Sequence, residues 1–336
     1  MLRRSLLTSL LATPAFAQQN PAGPIQPSTP SGAPAIGPGV WPTHTVRIIV
    51  PYPPGGSNDI LARILAEALR DRLGQPFIVE NRAGAGGNLG ADVVAKSPPD
   101  AHTLLLTAPG PLAINHQVYP RMPYAPEDLA PLALVASVPI VLMVHPSLPV
   151  HSVAQLVALA KAQPGKLSFG SSGNGGTNHL AGELLKAMAG IDVLHIPYRG
   201  AAPAMTDLVA GNLSFMFDNM PGSLGQIREG RVRALAVAGA QRAAVLPDVP
   251  TVAATLPGFD AEAWFALAAP GATPPALLAE ANAAIRAALA TPGVQARFAE
   301  AGATAGTLDV PGFTRFVATE RTKWAEVVRA SGAKAE

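Results

Sequence analysis

A glycine-rich loop between an apolar run and a helical pattern is the first place where this sequence could do chemistry. The loop lies in the stretch PYPPGGSNDI, residues 51–60. Gly55 and Gly56 let the backbone approach a ligand, and Ser57 or Asn58 is expected to cap the helix. Free N–H groups in the first turn of a helix favour a negatively charged group. The loop therefore predicts an anion site made of backbone donors, with an ordinary strand-to-helix turn as the alternative.

The same construction occurs twice more along the chain. Residues 80–88, ENRAGAGGN, follow a second apolar run, and residues 169–179, FGSSGNGGTNH, open a later helix. Open α/β sheets bind ligands beyond the carboxyl ends of their strands, which is where such loops lie. Three glycine-rich helix openings therefore indicate one cleft lined by backbone donors.

Four side chains near these loops are candidates for ligand contact. Tyr198 and Arg199 follow an apolar run, and an arginine fork can bind a carboxylate through two parallel hydrogen bonds. A solvated arginine on a loop is the alternative. Asp218 ends another run, where it either accepts from a ligand hydroxyl or ammonium group or caps a turn. His179 is expected in the cleft, unless it caps a helix or lies in the core.

Several catalytic and cofactor motifs fail at a required residue. A dinucleotide fingerprint needs glycine where Leu89 stands, and a phosphate-binding P-loop needs lysine where Gly176 stands. A nucleophile elbow at Ser172 needs glycine where Asn174 stands. The seven histidines show no metal-ligand spacing, and the chain has no cysteine. No catalytic residue, cofactor or metal is therefore expected.

Short apolar runs alternate with helical patterns through most of the chain. The runs read as strands covered on both faces and lie at 46–50, 77–79, 103–107, 193–196, 213–217 and 234–238. Helices with apolar stripes are predicted to end at Gly74 and Gly190. The pattern predicts α/β lobes with sheets rich in parallel strands.

Two longer apolar runs are interpreted as crossings between two lobes. They span residues 138–144 and 263–267, and each is followed by a Pro-containing turn. The first lobe is then discontinuous, comprising residues 45–143 and 264–336. The second lobe, residues 144–263, is inserted between these parts through a two-segment hinge.

The N-terminal residues have the pattern of an export signal. Residues 1–17 combine a charged start, a short apolar core and a small-x-small site, which predicts cleavage after Ala17. Arg3 and Arg4 also fit a loose twin-arginine pattern, so both export routes stay open. Residues 18–44 contain seven prolines and four glycines and predict a flexible linker. A disulfide-free exported chain is expected in the periplasm.

The charge balance argues against nucleic acid or a membrane surface as a partner. The chain has 24 Lys and Arg against 22 Asp and Glu, and the counts become equal without Arg3 and Arg4. A neutral chain without basic runs lacks the electrostatic footprint of nucleic-acid binding. Any anion site must therefore be local.

Several sequence blocks resemble those of one known family. In chain order they are Val79–Arg82, Gly84–Asn88, His179–Glu183, Pro197–Gly200, Pro203–Leu208 and Leu246–Val252. Together they resemble the Bug-type (TctC-like) receptors of tripartite tricarboxylate transport systems, over about residues 46–302. The family usually has Asp-Gly-aromatic before its Thr-Leu strand. Asp100-Ala101-His102 stands there in this chain, so that turn is expected to differ.

The resemblance implies a two-lobed periplasmic-binding-protein fold (Venus flytrap, type II-like) that closes on a small carboxylate. It also implies that residues 52–59 and 171–179 grip one carboxylate through backbone amides and bridging waters. The expected ligand-binding residues are Tyr52, Pro54, Gly55, Gly56, Ser57, Asp59, Gly86, Gly87, Thr107, Ser171, Ser172, Thr177, His179, Tyr198, Arg199, Gly200 and Asp218.

The function expected from this resemblance is that of a monomeric solute receptor without catalytic activity. It would deliver its ligand to the membrane permease subunits of a tripartite tricarboxylate-type transporter. The alternatives are a ligand sensor for a signalling partner and an exported serine hydrolase using Ser172 with His179. Dicarboxylates, tricarboxylates, amino acids and aromatic acids all remain open as ligands.

Overall fold

The computed structural model describes residues 41–331. The strands are β1 (Val46–Val50), β2 (Phe77–Asn81), β3 (Thr103–Thr107), β4 (Leu129–Val144), β5 (Ser168–Ser171), β6 (Leu194–Pro197), β7 (Phe215–Asn219), β8 (Arg233–Val237), β9 (Glu262–Pro270) and β10 (Thr304–Ala305). The helices are α1 (Ser57–Leu73), α2 (Asn88–Ala95), α3 (Asn115–Val118), α4 (Val153–Ala162), α5 (Thr177–Ala189), α6 (Ala201–Val209), α7 (Met220–Arg228), α8 (Pro275–Leu289), α9 (Pro292–Glu300) and α10 (Val310–Ser331). The predicted signal peptide and residues 18–40 of the predicted linker lie outside the described residues.

Two sheets share the longest strand, β4. The first sheet has the order β2-β1-β3-β9-β4-β10, with β1 parallel to β2 and β3. The second has the order β8-β4-β7-β5-β6, with β5 parallel to β6 and β7. We call the part built on the first sheet the first lobe and the part built on the second sheet the second lobe. The antiparallel pairings gather around β4 and β9, where the chain crosses between the lobes.

The crossing strand changes partner within one residue step. β4 pairs with β9 up to Pro139 and with β7 from Ile140 onward. Irregularities in the β4–β9 register fall between Pro131 and Ala133 and between Leu134 and Ala136. Such bulges bend and twist a strand, which suits one that serves two sheets. The lobe boundaries at residues 143 and 264 remain predictions.

Most strands lie where the apolar runs predict them. β1 and β3 have the predicted bounds, and β2, β6, β7 and β8 shift or lengthen by one or two residues. The two crossing runs lie within the longer strands β4 and β9. The four-residue strand β5 is missing from the prediction. Phe169 is its only strong strand former, so the sequence carries a weak signal there.

The helix termini confirm two predictions and correct a third. Gly74 and Gly190 end α1 and α5 in the left-handed conformation, with φ of 71° and 61°. The N-cap of α1 is Gly56, however, and it makes no side-chain cap bond. Ser57 and Asn58 lie in the first turn instead of capping it. The expectation of a side-chain cap is wrong because the Ser57 hydroxyl bonds to the other lobe.

The described end of the predicted linker is packed on the first lobe. Trp41 is 2% exposed, and its indole N–H donates to the Ala101 carbonyl oxygen at 3.0 Å. Its backbone N–H donates to Glu280 Oε1 at 2.9 Å, and its ring packs edge-on against Phe77. The packed lobe therefore includes Trp41, ahead of the predicted boundary at residue 45.

The C-terminal helix is tied to the crossing strand β9. The indole N–H groups of Trp264 and Trp324 both donate to Glu320 Oε2, at 2.7 and 2.9 Å. All three side chains are buried, so the shared acceptor fixes α10 against the first sheet. None of the described helices, α10 included, has the length and apolar character of a membrane-spanning segment.

Candidate ligand-binding site

Four helices begin around a small cavity between the two lobes, which we call the inner cavity. Its lining includes the N-terminal ends of α1, α5, α6 and α7. Its volume is about 20 Å³, room for one water-sized group such as a carboxylate oxygen. None of the described residues that line it is charged. The lining residues are Tyr52, Pro53, Gly56, Ser57, Asn58, Ala108, Ser172, Gly176, Thr177, Ala201 and Asn219.

Buried polar atoms beside the inner cavity lack partners. Within the described part of the chain, Asn58 Oδ1 and Asn219 Oδ1, on two lining residues, accept no hydrogen bond, and Asn178 Nδ2 donates none. Buried polar side-chain atoms in folded proteins are nearly always hydrogen-bonded to protein or water. These three polar atoms, by contrast, are unpaired among the described residues, and they lie on or next to residues that line the inner cavity.

The first glycine-rich loop is held by Asp59. Its carboxylate accepts from the Gly55 backbone N–H at 3.1 Å and from Arg63 at 2.8 and 3.0 Å. Asn81 donates to both Asp59 and the Tyr52 carbonyl oxygen, at 3.0 Å each. Burial opposes ionisation of Asp59, but these bonds outweigh it and hold its pKa below the usual value. Asp59 therefore positions the loop and does not face the inner cavity.

The third glycine-rich loop is held by side chains of the second lobe. Ser172 Oγ donates to Asn178 Oδ1 at 2.9 Å, and the Gly175 backbone N–H donates to His179 Nδ1 at 3.2 Å. The His179 ring stacks on His195 with a centroid distance of 4.0 Å, and His195 Nε2 lies 2.7 Å from Ser171 Oγ. Burial lowers the pKa of His179 to about 4 and that of His195 to about 3, so both rings are neutral near pH 7.

This arrangement leaves no Ser172–His179 pair. The Ser172 hydroxyl is bonded to Asn178, and His179 Nδ1 accepts from the loop backbone. A serine nucleophile needs a base within hydrogen-bond reach and a group that orients the base. The hydrolase alternative therefore lacks its nucleophile–base contact, and His179 is a core histidine that shapes the loop.

A larger cavity adjoins the inner one, and we call it the outer cavity. Its volume is about 480 Å³, within the usual range for small-molecule sites. Tyr52 and Ser172 line both cavities. The lining of the outer cavity is Pro51, Tyr52, Ala83, Gly84, Ala85, Gly86, Gly87, Leu89, Tyr119, Ser172, Gly173, Asn174, Pro197, Tyr198 and Arg199. A separate groove of about 380 Å³ between α8, α9 and β10 contains none of the predicted site residues.

The two lobes are in direct contact across the cleft. Ser57 Oγ of the first lobe accepts from the Gly222 backbone N–H at 3.0 Å and lies 3.4 Å from the Asn219 carbonyl oxygen. Tyr119 Oη donates to the Asn174 carbonyl oxygen at 3.2 Å. These bonds join residues far apart in sequence, and they show the lobes closed on each other.

Two glycines permit this close approach. Gly200 has φ of 150°, and an added Cβ would lie 2.5 Å from Pro53 Cδ of the other lobe. Gly86 has φ of 62°, and its Cβ would collide with the Tyr119 hydroxyl and lie 3.1 Å from the Asn174 carbonyl oxygen. Gly200 and Gly86 therefore permit the contact between the lobes, and Gly86 also lines the outer cavity.

Asp218 is buried near the end of β7, two residues before α7 begins. Ser223 Oγ donates to its Oδ2 at 2.9 Å, whereas Oδ1 has no partner among the described residues. Burial raises the pKa of Asp218 to about 6, against hydrogen bonds from the Asn219 backbone and Ser223. Asp218 lines neither cavity, but a Cβ on Gly222 would lie within 3.2 Å of both Asp218 Oδ2 and Ser57 Oγ.

The structure separates the predicted site residues into two groups. Those that line a cavity are Tyr52, Gly56, Ser57, Gly86, Gly87, Ser172, Thr177, Tyr198 and Arg199. Those that line neither cavity are Pro54, Gly55, Asp59, Thr107, Ser171, His179, Gly200 and Asp218. Of the second group, Asp59, Ser171 and His179 support the loops, Gly200 meets the opposite lobe, and Thr107 Oγ1 donates to the Ala108 carbonyl oxygen.

Several lining residues are absent from the prediction. Ala201 and Asn219 stand where α6 begins and where β7 ends, so the strand-to-helix rule could have found them. Tyr119 follows α3, and its role rests on one bond to Asn174. No signal in the sequence connects those two residues.

A histidine cluster near the N-terminal segment is arranged for packing. His44, Asp100 and His102 place potential ligand atoms within 4.8 Å of one another. The two imidazole rings stack in parallel at 3.7 Å, so their lone pairs do not converge on one point. His102 Nδ1 lies 2.7 Å from the Asp100 carbonyl oxygen, and Nε2 accepts from the Thr43 backbone N–H at 3.1 Å. This turn has φ of 58° at Ala101, the position where the resembling family carries glycine.

Most of the chain matches one family of transport receptors. Residues 61–333 match the family model described as tripartite tricarboxylate transporter family receptor. Protein BugT of Bordetella pertussis is 43% identical over 298 residues, which are 88% of this chain and 91% of the relative.

Two solved structures share the fold at high coverage. Rpa4515 of R. palustris, solved with adipate, has a TM-score of 0.85 and 38% identity over 88% of this chain and 99% of its own. MatC (Rpa3494) of Rhodopseudomonas palustris, solved with bound malate, has a TM-score of 0.81 and 32% identity over 86% of this chain and 100% of its own.

These comparisons confirm the predicted two-lobed fold of periplasmic binding proteins and the predicted relationship. Family and structural relatives are solute-binding proteins. The chain belongs to the tripartite tricarboxylate transporter family of receptors.

Proposed function

We propose that this protein captures a small carboxylate between its two lobes in the periplasm and delivers it to the permease of a tripartite tricarboxylate-type transporter. The observation that carries the proposal is the convergence of four helix N-termini on the inner cavity. Each N-terminus presents the positive end of a helix dipole, and the first turns of α1, α5 and α6 also carry N–H groups that have no acceptor within the helix. In α7 the Gly222 N–H donates to Ser57 Oγ and Pro221 has no N–H, so this helix contributes mainly its dipole. A carboxylate oxygen is the ligand group that best matches this environment.

The site needs no charged side chain to hold an anion. Backbone dipoles supply a local positive field even in a chain whose charges nearly balance. The unpartnered Asn178 Nδ2 adds a side-chain donor near the same cavity. The unpartnered oxygens of Asn58 and Asn219 are suited to a bridging water, which would link the carboxylate to both lobes.

Closure couples ligand capture to delivery. Ser57 of the first lobe bonds to the backbone of α7 in the second lobe, next to the inner cavity. A ligand that contacts both lobes stabilises the closed form by its differential affinity for that form. A permease that recognises the closed arrangement would then receive only loaded receptor.

Calorimetric titration of carboxylates beside their amides tests this proposal. The protein is first stripped of bound ligand by unfolding and refolding, and the panel contains dicarboxylates, citrate, acidic amino acids and aromatic acids. We expect at least one acid to bind and its amide to bind at least about tenfold more weakly, because charged hydrogen bonds are worth about 1.5–3 kcal/mol. Equal affinity for acid and amide, or no heat with any acid, would contradict the proposal.

A valine at Gly56 tests the location of the grip. Gly56 lines the inner cavity, and an added Cβ there would meet nothing within 4 Å, so Gly56→Val fills the site without forcing the fold. We expect the variant to keep its thermal stability and lose carboxylate binding. Gly293→Val in α9, where a Cβ also meets nothing within 4 Å, is the matched control. Normal binding by a folded Gly56→Val protein would place the ligand elsewhere.

A further inference from the structure

The outer cavity carries one charged side chain among its described lining residues, that of Arg199. Arg199 is exposed at the start of the loop before α6. Its guanidinium group has no hydrogen bond or ion pair to any described residue, although it has five N–H donors. The cleft therefore contains an unneutralised cation next to the cavity that receives the proposed carboxylate.

Carboxylates around the cleft are committed to other partners. Asp207 accepts from Tyr198 Oη at 2.5 Å and from Asn212 Nδ2 at 3.2 Å. Glu80 is paired with Arg47 and Arg82, and Asp59 is paired with Arg63. None of these carboxylates lines the outer cavity. Arg199 is consequently available to a negatively charged group that enters from solvent.

The same cavity offers little to an ammonium group. The residues that line it include no Asp or Glu. Two carbonyl oxygens in the lining already accept hydrogen bonds, that of Gly86 from Asn115 and that of Asn174 from Tyr119. A bound α-amino group would lose water without gaining a carboxylate partner, which is costly for a charged group. The charge pattern therefore disfavours amino acids.

We propose that Arg199 binds a second acidic group of the ligand, so that the ligand class is dicarboxylates in preference to monocarboxylates and amino acids. This inference rests on the proposed function, because the first carboxylate is taken to occupy the inner cavity. The ligand spans from the inner cavity past Tyr52 and Ser172 into the outer one. The arginine fork then engages the distal carboxylate through two parallel hydrogen bonds.

Matched ligands and matched variants test the role of Arg199. The full chain, stripped of ligand, is titrated with succinate, glutarate, adipate and suberate, each beside its monomethyl ester and the monoacid of the same length, and with glutamate. The variants are Arg199→Gln, which removes the charge, and Arg199→Lys, which keeps the charge without the fork. Arg228→Gln is the control, because Arg228 is an exposed arginine in the last turn of α7, whose first turn faces the cleft.

The wild-type protein is expected to bind one of the dicarboxylates at least about tenfold more tightly than its half-ester or monoacid, as expected for a charge-assisted pair. Arg199→Gln should remove this advantage, so that a dicarboxylate and its monoacid bind with similar affinity. Arg199→Lys should lie between Arg199→Gln and wild type, and Arg228→Gln should behave like wild type. Binding of monoacids with no dicarboxylate advantage, a preference for glutamate, or an advantage that survives Arg199→Gln would overturn the inference alone. Failure of every acid to bind would overturn the proposed function and this inference with it.

Discussion

Whether a polar side chain in the cleft can bind a ligand depends on which of its atoms already have hydrogen-bond partners. Among residues 41–331, no group pairs with Asp218 Oδ1 or with the guanidinium group of Arg199. The Asp59 carboxylate and His179 Nδ1 already accept hydrogen bonds that hold the loops, so these atoms are not available to a ligand. Residue type alone does not separate these cases. Each assignment follows from counting the hydrogen bonds that every polar atom already makes.

The buried carboxyl group of Asp218 gives a pH prediction at this scale. Its pKa rises from 3.8 to about 6 in the folded chain, so the folded state binds more protons than the unfolded state between these values. Its contribution to stability is therefore fully present below about pH 4 and is lost as pH rises through 6. Asp218→Asn should gain stability relative to wild type between pH 4 and 7.5, by up to about 3 kcal/mol.

Denaturant titrations of both proteins at the two pH values measure this difference. Burial also lowers the pKa of His179 and of His195. These two histidines therefore contribute to the pH dependence of stability in both the wild type and Asp218→Asn. Because both histidines are present in both proteins, their effects cancel in the comparison. Parallel stability profiles would show that Asp218 titrates normally in the folded chain.

At the scale of elements, the first turns of α1 and α7 meet through one hydroxyl group. Ser57 Oγ accepts from the Gly222 backbone N–H and lies within reach of the Asn219 carbonyl oxygen. Because these contacts join the two lobes, opening of the cleft is expected to break them. The two helix ends that line the proposed carboxylate site are thus also ends that join the lobes.

Ser57→Ala is expected to weaken binding of every ligand by the same factor. Loss of one net hydrogen bond costs about 1 kcal/mol, which corresponds to roughly fivefold in affinity. A uniform loss across different acids, measured by calorimetry, identifies a contact that stabilises closure. Ser97→Ala is the control, because Ser97 Oγ donates to Val93 within the first lobe. A loss confined to particular ligands would show that Ser57 contacts the ligand itself.

At the scale of the whole molecule, the lobes lie so close together that two glycines have no room for a Cβ atom. Gly200 faces Pro53, and Gly86 faces Tyr119 and Asn174. The crossing strands β4 and β9 remain paired up to Pro139, next to the point where β4 joins the second sheet. Motion between the lobes is therefore expected to concentrate at this junction, with each lobe moving as a unit.

Gly200→Ala should hinder closure while leaving each lobe folded. The added Cβ would lie 2.5 Å from Pro53 Cδ, so the closed form has to open or shift. We expect ligand affinity to fall at least about tenfold, because binding depends on the population of the closed form. Small-angle scattering should show that saturating ligand compacts the wild-type protein and not the variant.

Gly258→Ala is the control that separates the steric effect on closure from the effect of backbone strain at a glycine with positive φ. Gly258 also has a positive φ, 87°, but an added Cβ there meets nothing within 4 Å. This control should lose about 1 kcal/mol of stability or less and bind ligand normally. Equal losses of affinity in the two variants would attribute the effect of Gly200→Ala to strain.

Local sequence alone determined the strands β1 and β3, the helix ends at Gly74 and Gly190, and the three glycine-rich helix openings. Hydrophobic periodicity and left-handed caps act over a few residues, so the sequence displays them directly. Only the tertiary structure decided that Ser57 bonds to Gly222, that Asp59 holds the first loop, and that Arg199 remains unpaired in a cavity. These outcomes depend on which polar atoms meet after distant segments pack, and no local pattern encodes that.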